Sequence, residues 1–305
     1  MQTLFISHSD CEKHLMSAHH PESPARLRAI RNSLDGQDWK GRLRRIEARE
    51  IRPEGLRGTH SEAHLAFLAS LRPGEGVARV DADTFVNRHS MRAARLAAGS
   101  LLQAVDAVMS ASAGNAFCAV RPPGHHAESE LAMGFCLFNN VALAARHALS
   151  LGAERVAIFD FDVHHGNGTV EIFRDRPEVL VCSSFQYPFY PGRFDNVEAD
   201  NIVLTPLPAG TDGPAFRRAV ERDWKEAAAG HRPDLILISA GFDAHREDPL
   251  GGLLLEDDDY QWVTELLLDF ADRYCDGRLV SALEGGYHLE ALARSAMRHL
   301  RALSR

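Results

Sequence analysis

Apolar residues along this chain follow two rhythms. Short apolar runs begin at Ala116, Val156, Val179, Leu235 and, just after Arg278, Leu279, and stop after a few residues, as strands buried on both faces do. Between them apolar residues recur at helical spacing, at Ala94, Ala98, Leu101, Val105 and Val108 and again at Leu289, Leu292, Ala296, Leu300 and Leu303. The same spacing predicts helices near residues 24–34, 61–70, 138–150, 213–229 and 257–273. Strands alternating with helices predict the α/β class, with a mainly parallel sheet and helices on both faces. Ligands of such sheets bind outside the carboxyl ends of the strands. No Pro/Gly/Ser-rich linker, shift in composition or internal repeat divides the 305 residues, so a single domain over residues 1–305 is expected.

Polar clusters follow these runs. The richest is FDFDVHHGNGT at 159–169, where a strand runs into two aspartates, two histidines and two glycines. Side chains alternate along a strand, so Asp160, Asp162 and His164 are expected on one side and Phe161, Val163 and His165 on the other. Carboxylates and an imidazole converging beside a buried strand suit a borderline metal such as zinc, whereas unpaired buried carboxylates are costly. Two further clusters strengthen this against the alternative of strand-end caps and core histidines. VRPPGHHAE at 120–128 carries adjacent His125 and His126, which a Pro-Pro-Gly turn can re-aim. LILISAGFD at 235–243 delivers Asp243 just beyond a strand.

A net charge of -8 argues against a general nucleic-acid binder and mildly favours a cationic substrate. The acidic run Glu256–Asp259 reads as the start of a helix, where acids suit the dipole. Cys11, Cys118, Cys136, Cys182 and Cys275 show neither paired metal spacing nor a disulfide framework, which fits a cytoplasmic location. The N-terminal apolar stretch is short for a signal peptide, and no window nears the roughly 18 apolar residues of a membrane span.

RPPGHH at 121–126, GFCLFNN at 134–140, DFDVHHGNGT at 160–169, SAGFDAHREDPLG at 239–251 and LEGGYH at 283–288, with HHPESPAR at 19–26, resemble, in order, motifs of the zinc-dependent histone deacetylase and acetylpolyamine amidohydrolase superfamily. Asn167 is similar to the class II branch and its bacterial relatives, where the class I branch has aspartate. The resemblance implies an arginase/deacetylase-like fold and hydrolysis of N-acetyl amides, with acetyl-lysine side chains of a peptide or protein as first substrate and acetylated polyamines or other small amines as the alternative. It implies Asp162, His164 and Asp243 as ligands of Zn2+, with Fe2+ or Co2+ also suited to so oxygen-rich a set. It implies His125 and His126 as a proton-transfer dyad backed by Asp160 and Asn167, and Tyr287 as oxyanion donor, where a histidine marks a branch that turns over acetyl-lysine poorly. Gly134, Phe135, Tyr190, Leu250 and Gly285 fall at substrate-binding positions. Leu250 stands where polyamine-selective relatives can carry an acid, and Tyr190 where phenylalanine is usual.

The resemblance also places Arg26 in an interior product-exit region and implies a K+ site drawing on Asp160, Asp162, His164, Phe173 and Ser183. Ser184-Phe185-Gln186 departs from the usual Leu-His pattern of that loop. A dinuclear manganese ureohydrolase is disfavoured because Gly241 stands where a second bridging aspartate is needed. A non-catalytic acyl-lysine-binding module is disfavoured by the intact dyad and Tyr287. The oligomeric state is open.

Overall fold

The computed structural model describes residues 2–305. Its strands in chain order are β1 (Thr3–Ser7), β2 (Leu43–Glu47), β3 (Val77–Arg79), β4 (Phe85–Asn87), β5 (Asn115–Cys118), β6 (Val156–Asp160), β7 (Val179–Gln186), β8 (Ile202–Leu207), β9 (Leu235–Ala240) and β10 (Leu279–Leu283). The helices are α1 (Ala25–Asp35), α2 (Pro53–Leu56), α3 (Glu62–Ser70), α4 (Ser90–Met109), α5 (Asn140–Ser150), α6 (Asn167–Phe173), α7 (Gly213–His231), α8 (Asp257–Tyr274) and α9 (Leu289–Leu303).

Eight strands form one sheet in the order β2-β1-β5-β10-β9-β6-β7-β8, with every neighbouring pair parallel, while β3 and β4 make a separate hairpin. Helices α4 and α5 pack together on one face, and α7, α8, α9 and α1 pack in succession on the other. Burial from both sides explains why β6, β9 and β10 are buried at every position and read as unbroken apolar runs. The helices follow the predicted spacing, and α8 begins with a capping box between Glu256 and Asp259.

Strand alternation was expected to align Asp160, Asp162 and His164, but β6 ends at Asp160. Residues 161–166 leave the sheet, held by carboxylates that cap the next turn: Asp160 Oδ1 accepts from Asp162 N at 3.1 Å, and Asp162 Oδ1 from His164 N at 2.9 Å. The opposite set behaves as expected. Phe161 packs against Phe242, and His165 turns to Ser183 and Phe185. The four central strands β5, β10, β9 and β6 all point their carboxyl ends the same way, so the loops after them meet at one edge. Every metal, dyad and tyrosine position named above lies in those loops.

Candidate active site

Asp162, His164 and Asp243 each offer a buried ligand atom, all within 4.8 Å of one another. His164 Nδ1 lies 3.1 Å from Asp162 Oδ1 and 3.2 Å from Asp243 Oδ2. Burial opposes charge on this imidazole, but hydrogen bonds to both carboxylates outweigh it and push its pKa up to about 10. Burial, then the charge of Asp162, raises Asp243 to about 7. Two buried carboxylates facing one another thus call for positive charge between them, and with one imidazole they form a set that fits a divalent ion. Gly285 lies directly behind the pair: its N–H donates to Asp162 Oδ2 at 2.8 Å, and a Cβ there would stand 1.9 Å from Asp243 Oδ2.

The Pro-Pro-Gly turn brings the His125 and His126 rings to 4.0 Å between centroids. Behind them, His125 Nδ1 meets Asp160 Oδ2 and His126 Nδ1 meets Asn167 Oδ1, both at 2.8 Å. The two rings diverge in basicity. Burial opposes charge on His125, but the charges of Asp160 and Asp162 raise its pKa well above the usual value. Burial and the neighbouring charges of His125 and His164 drive His126 well below it. Dyad members with opposite protonation preferences can divide the two halves of a proton transfer.

A cavity of about 440 Å³ opens over these groups. Its lining includes His126, His164, Gly134, Phe135, Phe189, Tyr190, Leu250 and Tyr287, and the acid Asp83 as well. Gly134 and Phe135 both adopt positive φ (57° and 70°), and a Cβ on Gly134 would stand 2.4 Å from His126 Cδ2. The Phe135 ring meets Tyr287 edge to face at 5.9 Å, and Tyr190 meets His126 in the same way at 5.3 Å.

Arg26 is fully buried beneath Tyr287, its guanidinium 4.9 Å from the ring centroid. It donates to the Gly286 carbonyl at 2.6 Å and to the Glu284 carbonyl, and it pairs with Glu22. Of the expected K+ residues, Ser183 sits opposite Asp160 in the β6–β7 register. The Phe173 carbonyl already accepts from Arg176 N and Asn201 Nδ2.

Several supports escaped the sequence reading. Glu284 accepts from the backbone N–H of Gly124 (2.7 Å) and His125 (3.2 Å), which fixes the dyad turn. Asp248 accepts from the N–H of Tyr287 at 2.6 Å and of His288 at 3.1 Å. Glu22 joins Arg121 and Arg26, and Glu128 lies behind Asn167. Glu22, Asp248 and Glu284 all fall inside the motif segments, and for Glu284, beside a glycine pair at a strand end, that position was the available signal.

Residues 20–303 match the histone deacetylase domain family. The chain belongs to the histone deacetylase family. It is 37% identical over 284 residues to the histone deacetylase-like amidohydrolase of Pseudomonas aeruginosa, covering 89% of this chain and 73% of that one. A probable deacetylase of Archaeoglobus fulgidus is 35% identical over 95% of this chain and 82% of its own. Among solved structures, the HDA15 HD domain superposes with a TM-score of 0.92 at 36% identity, over 100% of this chain and 90% of that one. Membership makes the protein an amide hydrolase of the deacetylase and amidohydrolase type, with the arginase/deacetylase fold. Among the described residues no helix is long and apolar enough to cross a membrane.

Proposed function

We propose that residues 1–305 act as one catalytic unit that hydrolyses N-acetyl amides, with acetyl-lysine side chains of peptides or proteins as the main substrate. The observation that carries this is one cavity whose lining joins the polar groups of His126, His164 and Tyr287 to the apolar side chains of Phe135, Phe189, Tyr190 and Leu250. Aromatic lining suits a methylene stem, and the few polar groups among it suit an amide.

Asp162, His164 and Asp243 would hold zinc, and the two carboxylates also suit iron(II) or cobalt(II). When bound, the ion supplies Lewis acidity to the amide carbonyl and makes water a better nucleophile. The chain's own groups do the rest. His126, neutral and lining the cavity, takes the proton from the attacking water. Asp160 keeps His125 charged, and an imidazolium of the dyad returns a proton to the leaving amine. The Tyr287 hydroxyl donates to the developing oxyanion. A K+ ion would draw on Ser183, which lies opposite Asp160 in the sheet.

One observation favours a second reading. Asp83 adds a carboxylate to the cavity lining, which suits the distal ammonium of an acetylated polyamine. The test is acetate release by zinc-reconstituted protein from an acetyl-lysine peptide and from acetylated putrescine or spermidine in parallel. Faster chelator-sensitive turnover of the peptide is expected, and turnover of the polyamine alone would overturn the peptide reading.

A further inference from the structure

Behind the dyad a chain of hydrogen bonds runs outward to the surface, and one member of it has no role so far. Asn167 Oδ1 faces His126 Nδ1 at 2.8 Å, while Asn167 Nδ2 donates to Glu128 Oε1 at 2.7 Å. Both Glu128 oxygens are gripped by Arg193, through Nε and Nη2 at 2.7 Å each. Arg193 is partly exposed and lies on the same loop as Tyr190, whereas Glu128 is buried.

An asparagine amide is nearly symmetric in shape, and which end faces a neighbour is decided by that neighbour's hydrogen-bond needs. A carboxylate whose two oxygens both accept from a guanidinium, as those of Glu128 do from Arg193, presents only acceptors to its other neighbours. Asn167 must therefore turn its NH2 toward Glu128. The remaining Nδ2 contacts, the His126 carbonyl at 3.4 Å and Met133 Sδ at 3.5 Å, are acceptors as well. With Nδ2 committed, only Oδ1 is left for His126. The imidazole must then carry its proton on Nδ1 and leave Nε2 free.

We infer that Glu128 is a positioning residue that sets the tautomer of His126, acting through the orientation of the Asn167 amide. This rests on the proposed role of His126 as proton acceptor. A relative with aspartate at 167 has no orientation to set, because a carboxylate accepts at both ends. The asparagine creates the need for an acceptor behind it, and Glu128 with Arg193 supplies one.

Exchanging the pair, Glu128→Lys with Arg193→Glu, tests this. Glutamine at 128 would not, because Asn167 Nδ2 and Arg193 Nε share Glu128 Oε1, and one amide oxygen there still serves both. In the exchanged pair a group that only donates faces Asn167, which turns its oxygen toward it, and the His126 proton moves to Nε2. Nitrogen-15 NMR of histidine-labelled, zinc-reconstituted protein reads the tautomer directly. The Nδ1–H form is expected in the parent and the Nε2–H form in the exchanged pair, with kcat falling at least about tenfold. Asn167→Asp alone sets two carboxylates face to face and is expected to lose activity. Combined with the exchanged pair, the aspartate accepts from both sides, restores the Nδ1–H form and recovers at least about tenfold of the loss.

Losses that merely add would overturn the inference, as would an unchanged tautomer in the exchanged pair or an Nε2–H form in the parent. The parent's tautomer is read even where the variants fold poorly. A switched tautomer with unchanged kcat would support the positioning role of Glu128 while overturning His126 as the proton acceptor.

Discussion

Buried imidazoles in two regions of this molecule meet opposite surroundings. At the strand ends, His125 and His164 face carboxylates that raise their pKa values. In the core between α8, α9 and β10, His299 bridges the Thr264 and Ser281 hydroxyls at 2.7 and 2.8 Å, and burial alone lowers its pKa to about 3. Burial is the largest single influence at all three, and the partners decide the outcome. Hydroxyls satisfy a neutral ring and secure packing, whereas carboxylates gather charge that folding alone does not require. The second arrangement marks chemistry.

The charged region breaks most completely at Asp243. Asp243→Ala removes one of three ligand atoms, and zinc stoichiometry by mass spectrometry should fall far below one per chain, with turnover lost. Tyr287→Phe should keep the metal and lose about 100- to 1000-fold in kcat, the typical effect of removing one oxyanion donor. A near-normal rate would remove Tyr287 from the proposed mechanism.

Next to the charged region, Glu22 is the shared partner of buried Arg121 and of Arg26, which lies beneath Tyr287. Glu22→Ala strands two cations and should destabilise the fold by about 3–5 kcal/mol, read from urea unfolding. Burial raises the Glu22 pKa, but the charges of Arg121 and Arg26 outweigh it and bring it down to about 2. Its contribution is thus full above the ordinary carboxylate range and fades as pH falls toward 2.

The smallest effect sharpens the neutral side. His299 is neutral when folded down to about pH 3 but titrates near 6.5 when unfolded. Below pH 6.5 the unfolded state therefore binds one more proton, and stability falls by about 1.4 kcal/mol per pH unit from this residue. Urea unfolding at pH 7 and 5.5 should show a steeper decline in the parent than in His299→Phe. Equal slopes would show that His299 is not held neutral.

Much of the molecule was legible because both periodicities are strong where both sheet faces are covered. Strands β5, β6, β7, β9 and β10 and helices α1, α3, α4, α5, α7, α8 and α9 fall where apolar spacing placed them. The unread strands have physical reasons. β2 (LRRIE) and β8 lie at the sheet edges and carry polar or partly exposed positions, and β1 sits in a short polar N-terminal context. Helix α6 was hidden because Asn167–Phe173 begins inside the ligand motif itself. Residue type next to strand ends singled out Asp162, His164, Asp243, His125 and His126, which the fold gathers at one edge, while the roles proposed for them came from the resemblance. The carboxylates behind them, Glu284, Asp248 and Glu128, were not, because they act on backbone N–H groups and side-chain amides brought close only by the fold.

The most direct measurement is acetate release from an acetyl-lysine peptide while metal-stripped protein is titrated with zinc. Turnover should be absent without metal, rise linearly to a plateau at one zinc per chain, and never rise in Asp243→Ala. Undiminished turnover by the stripped protein, or equal zinc-dependent turnover by Asp243→Ala, would contradict catalysis at the Asp162, His164 and Asp243 centre.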